Sequence, residues 1–134
     1  MNVPRALDHD PRRMHYFEPF AERARSLLAA DDPEALTELA GRAQRKLGDT
    51  RDPFILNVRE RADRLARFVK AYAAGAKGAV DAESVNFALA ALVYFLSPTD
   101  QIPDSQPAGQ ADDAAVLAFA ARTLADQIDR VLPA

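Results

Sequence analysis

Apolar residues recur at helical spacing in five successive stretches of this chain. Phe17, Phe20, Ala24, Leu27 and Leu28 share one face over residues 16–30, with Pro19 tolerable only in the first turn. Asp32-Pro33-Glu34 is a helix start: an aspartate to cap, a proline for the first helical position, a glutamate at the positive end of the dipole. Leu36, Leu39, Ala40, Ala43 and Leu47 then make a buried stripe, and Gly48 reads as the stop. Gly41 within this helix costs about 1 kcal/mol against alanine unless close packing needs it. Asp52-Pro53 repeats the start signal. Val58, Ala62, Leu65, Val69, Tyr72 and Ala76 follow in alternating steps of four and three, a seam suited to another helix, until Gly75 and Gly78. Glu60–Arg64 and Asp63–Arg67 stand at i,i+4 in the favourable order.

The fourth stretch differs. From a cap at Asp81 to about Ser97, Val85, Phe87, Ala88, Leu89, Ala91, Leu92, Tyr94, Phe95 and Leu96 cover nearly the whole circumference. A helix apolar all round belongs inside a protein. Pro98 stops it, and a fifth helix is predicted from Asp112 or Asp113 to about Leu132, with Val116, Leu117, Ala120, Ala121, Leu124, Ile128 and Val131 inward. Period-two alternation is never sustained. The fold class that follows is all-α: a compact bundle of about five helices, a central apolar helix, and a loop rich in proline and aspartate. Residues 1–15 lack periodicity and read as an irregular arm, and residues 16–134 as one helical domain.

Composition narrows the function classes. Length fits one domain with a real core. No cysteine is present among the 134 residues, which excludes disulfides and thiolate metal sites. The N-terminal stretch has no apolar segment of the signal-peptide kind, and the run 87–96 is about half of the roughly 20 residues that span a bilayer. A cytoplasmic protein without a transmembrane segment is therefore expected. The net charge of −3 conceals an asymmetry: residues 1–41 carry −3, residues 42–77 carry +6 and residues 78–134 carry −6. A basic helix packed beside acidic neighbours explains this; so does a face for an anionic partner made by Arg59, Arg61, Arg64, Arg67 and Lys70. Few aromatics lie among those charges, which disfavours nucleic acid.

Candidate chemistry sits in the segment Ser97 to Asp113, SPTDQIPDSQPAGQADD. Asp100, Asp104, Asp112 and Asp113 fall within fourteen residues. Pro98, Pro103 and Pro107 restrict the backbone, Gly109 allows a positive φ, and Ile102 is the large apolar residue expected to anchor the loop. Two readings stand side by side. Asp100 and Asp104 can bond backbone amides in Asx-type turns while Asp112 and Asp113 cap the last helix. Alternatively the four carboxylates hold a hard divalent cation such as Mg²⁺ or Ca²⁺, although the spacing is not that of an EF-hand. Asp8, His9, Asp10 and His15 are ligand types in the arm without the fixed spacing of a metal motif. No cysteine nucleophile, phosphate loop or nucleophile elbow is present. The one enzyme these residues can build is a metal-assisted hydrolase on the aspartate cluster.

The same segment resembles the signature of the YkvA-like family, a bacterial domain of unknown function. The resemblance rests on Ser97, Pro98, Asp100, Ile102, Pro103, Asp104, Pro107, Gly109, Asp112 and Asp113, and on the helices flanking them, over residues 81–125. It implies a small helical domain and brings no activity, catalytic residue or cofactor. The family's loops are hydrophobic where this chain has Gln101, Ser105, Gln106, Gln110 and Ala111, with the link to the glycine one residue shorter here. That polarity points away from membrane contact, which stays open only as a peripheral one. The leading expectation is a non-catalytic protein-binding or scaffolding module without a cofactor, acting on a protein partner or as a homodimer. The alternatives are the divalent-metal hydrolase and the anionic-surface binder.

Overall fold

The computed structural model describes residues 10–97 and 107–132, and within them says nothing of the side chains of Lys77, Ala79 and residues 107–110. Six α-helices occur among the described residues: α1 Glu18–Ala29, α2 Pro33–Asp49, α3 Pro53–Ala73, α4 Ala82–Leu96, α5 Pro107–Thr123 and α6 Ala125–Val131. Short 3-10 turns at Pro11–Arg13 and His15–Phe17 lead into α1, and a third, Ala76–Ala79, links α3 to α4.

The helix starts follow from local chemistry. The Asp32 carboxylate accepts the amides of Glu34 and Ala35 at 3.1 and 3.3 Å, and that of Asp52 accepts those of Phe54 and Ile55 at 2.9 and 3.3 Å. Each satisfies donors that have no partner inside the helix. Asp81 does not cap in this way. Its own amide donates to the Gln127 side chain at 3.2 Å, while its carboxylate accepts from the Ser84 hydroxyl at 3.3 Å. Gln127 also donates to Ser84. A side chain of α6 thus closes the start of α4, a tertiary contact in place of a local cap. Gly75, at φ 123°, provides the left-handed residue after α3, and α2 runs one residue past Gly48.

The last helix departs from the sequence reading in two ways. It begins at Pro107, so Asp112 and Asp113 stand in its second turn and cannot cap it, and Gly109 is helical rather than a loop hinge. Proline needs no amide partner at the first helical position, which is how the helix starts there. It also breaks near Leu124 (φ −98°, ψ 8°), dividing the predicted single helix into α5 and α6.

Helix α4 packs against α1, α2, α3 and α5. Ser84, Val85 and every residue from Phe87 to Phe95 are buried, and Leu89, Leu92 and Phe95 have no exposed surface. Helix α5 is nearly as enclosed: Ala111, Ala114, Ala115, Val116, Leu117, Ala118, Ala120 and Ala121 are all buried. From α3, Ile55, Val58, Ala62, Leu65, Ala66, Phe68 and Val69 enter the same core. Among the described residues no helix is long and apolar enough to cross a membrane.

Candidate functional site

Four carboxylates were expected together, and two of them are placed. Asp100 and Asp104 lie outside the described residues, as do Pro98, Ile102 and Pro103. Ser97 ends α4 in extended backbone (φ −75°, ψ 133°). Just before it, the Lys46 ammonium of α2 donates to the Phe95 carbonyl and stands 4.4 Å from the Phe95 ring centroid. A cation therefore meets the negative end of α4 where the motif begins.

Asp113 is completely buried and Asp112 half-buried. Adjacent residues on a helix point about 100° apart, so the two carboxylates face different surroundings. Asp112 looks toward Tyr16. Burial strips its carboxyl of water and pushes its pKa above the ordinary carboxylate value. The Tyr16 phenol is pushed up to about 12, first by burial and then by the Asp112 charge. Its hydroxyl is buried and makes no hydrogen bond among the described residues. Around it lies an aromatic cluster joining three helices and the turn before α1. Tyr16 and Tyr94 are 5.8 Å apart by ring centroid, Phe20 meets Tyr94 edge-on at 5.0 Å, Phe17 meets Phe87 at 6.0 Å, and Phe87 meets Phe119 at 6.3 Å. Edge-to-face pairs at such distances add to the burial energy. No local pattern signals that Tyr16 meets a motif aspartate, because more than half of the chain separates them.

Residues 87–119 match a family model described as a protein of unknown function, DUF1232. The match covers most of α4, the motif and most of α5, well under half of the chain. It agrees with the resemblance noted over residues 81–125 as far as a domain of unknown function. No curated protein and no solved structure matches the chain.

The basic residues of α3 do not form one stripe. Arg59, Arg64 and Arg67 line a groove of about 490 Å³ against α2, together with Glu60 and Asp63. Arg61 is exposed elsewhere and reaches back to the Asn57 carbonyl at 3.4 Å, and Lys70 is half-buried. The expected i,i+4 pairs give way to longer-range partners. Asp63 accepts from Gln44 of α2 at 2.9 Å, and Arg64 donates to Asp129 of α6 at 2.8 Å and to the Leu132 carbonyl at 3.4 Å. Part of the opposed charge of the two regions is thus met within the bundle.

No three His, Asp or Glu residues gather closely enough to hold a metal ion among the described residues. The four-aspartate arrangement includes two residues outside that set. His15 lies in the turn before α1, its imidazole 3.4 Å from Glu18 and almost wholly in solvent.

Proposed function

We propose that this chain is a YkvA-like, non-catalytic helical module that acts by protein contact in the cytoplasm, with a second copy of itself as the simplest partner. The placement of Asp112 and Asp113 supports this reading most. A carboxylate that reacts or binds substrate must meet it, and Asp113 is wholly enclosed while Asp112 is desolvated beside Tyr16. Asp112 lies beside the turn before α1, and Asp113 is enclosed in the interior that α5 helps to form. In this reading the motif sets how the chain leaves α4 and returns as α5, α4 is the centre of the bundle, and the surface carries the function.

On that surface Phe54 and Leu56 are the exposed large apolar residues among those described, at 46% and 43%. Both lie in the first turns of α3, next to a groove whose charges are of both signs. Mixed charge beside apolar side chains suits a protein surface better than a uniformly anionic polymer. A two-fold dimer is the simplest closed assembly. Sedimentation velocity across the micromolar range tests the reading. The chain should dimerise with concentration, and Phe54→Ser with Leu56→Ser should shift it to monomer without lowering its melting temperature. A chain that stays monomeric throughout contradicts the self-association.

A further inference from the structure

Helix α3 turns Val58, Ala62, Leu65 and Val69 into the core, all of them buried. Its opposite side is a face of different chemistry. Leu56, Glu60, Asp63, Arg64, Arg67 and Ala71 follow one another there at steps of three and four, so they share one side of the helix. Leu56, Glu60 and Arg67 are exposed; Asp63, Arg64 and Ala71 are half-buried.

The two central charges of this face are answered within the chain. Asp63 accepts from Gln44 at 2.9 Å, and Arg64 donates to Asp129 at 2.8 Å. Glu60 and Arg67 are not answered: neither makes a hydrogen bond or an ion pair among the described residues. They stand two turns apart, about 10.5 Å along the helix, too far to pair with each other. Read backwards, the face is its own complement. Glu60 and Arg67 lie at equal steps on either side of the midpoint between Asp63 and Arg64, and so do Leu56 and Ala71.

Resting on the self-association proposed above, we infer that this face is where a second copy docks, α3 lying antiparallel to the partner subunit's α3 about a two-fold axis through that midpoint. Glu60 then faces the partner subunit's Arg67, and Arg67 faces the partner subunit's Glu60. Each exposed Leu56 covers the partner subunit's Ala71, a side chain small enough to leave room for it. A two-fold contact repeats every such pair, so one complementary pair on the face becomes two in the dimer. The competing arrangements are poorer. Parallel helices would set Glu60 against Glu60 and Arg67 against Arg67, and like charges facing each other oppose association. A slide by one turn would set Glu60 against Arg64, which Asp129 already holds, or Arg67 against Asp63, which Gln44 already holds.

Charge reversal on the full chain tests this, read by sedimentation velocity beside the native chain at low salt. Glu60→Arg sets two arginines against each other at both ends of the contact, and Arg67→Glu sets two glutamates. Each variant should weaken self-association at least about tenfold, equivalent to about 1.4 kcal/mol, at the native melting temperature because both sites are exposed. An equimolar mixture of the two variants should associate again, since the arginines of one chain then face the glutamates of the other. The double variant, Glu60→Arg with Arg67→Glu, should do so on its own. Added salt should narrow the difference between the native chain and each single variant. A native chain that stays monomeric overturns the self-association and this face with it. A native dimer that both single variants leave intact, or single variants whose mixture stays monomeric, overturns the antiparallel α3 contact alone.

Discussion

Truncation of Leu92 to alanine probes the packing of α4 most sharply. Leu92 has no exposed surface and lies in the middle of the helix that four others cover. The substitution removes three carbons. At about 0.8 kcal/mol per buried methylene, transfer alone predicts a loss of roughly 2.4 kcal/mol. The helices around it meet at several surfaces and can close a void only partly, so a cavity penalty adds to this, and the total should fall at about 2–5 kcal/mol. Domains of this size are commonly stable by about 5–15 kcal/mol, so the variant should fold but unfold at clearly lower urea. Equilibrium urea unfolding followed by far-UV circular dichroism gives the difference. Glu38→Ala, on an exposed side chain of α2 away from Phe54 and Leu56 in sequence, is the internal control and should cost less than about 1 kcal/mol. If Leu92→Ala also cost less than about 1 kcal/mol at an unchanged denaturant slope, the enclosure of α4 argued above would be refuted.

Other outcomes follow from single contacts. Asp52→Ala should cost about 0.5–2 kcal/mol in urea unfolding, because its carboxylate holds two amides at the start of α3, and Asp52→Asn, which keeps an acceptor, should cost less. Gly41→Ala should stabilise by up to about 1 kcal/mol, since the added carbon would meet nothing nearer than the flexible Arg45 guanidinium at 3.6 Å. Tyr16 gives an alkaline signature. With a folded pKa of about 12 against an ordinary 10.0, its contribution is intact below pH 10 and is lost as pH rises toward 12, because the unfolded chain ionises first. Tyr16→Phe should remove that slope and cost little at neutral pH, the buried hydroxyl having no hydrogen bond to lose among the described residues. For Asp112 the sign is the same: the folded state holds the proton more tightly, so stability falls as pH rises through the carboxylate range. Asp112→Asn should raise the melting temperature at neutral pH.

The parts of this fold legible in the sequence are those set by local chemistry. Asp32-Pro33 and Asp52-Pro53 bring cap and first residue together, and both helices begin where they say. The apolar circumference from Val85 to Phe95 is visible because large side chains leave no ambiguity about burial. Helix α5 was harder. Pro107 offers the same first-position signal as Pro33 and Pro53, but no aspartate immediately precedes it, and Ala-Gly-Gln after it carries no apolar stripe. Alanine suits core and surface alike, so Ala114, Ala115 and Ala118 gave no warning that α5 is enclosed on most sides. Two adjacent aspartates look like a solvated helix start, and nothing local shows that Asp113 lies in the core. Arg64 reads as the partner of Glu60 until α6 brings Asp129 within reach.

The claim that the motif aspartates serve the fold is tested most directly by the melting temperature of the chain in excess chelator and then in millimolar Mg²⁺ or Ca²⁺, with Asp113→Asn alongside. If the carboxylates are held by helix packing and local hydrogen bonds, neither cation should move the native melting temperature, and Asp113→Asn should change it equally with and without metal. A cation-dependent rise in the native chain that disappears in Asp113→Asn would contradict the account and restore the aspartates as a metal site.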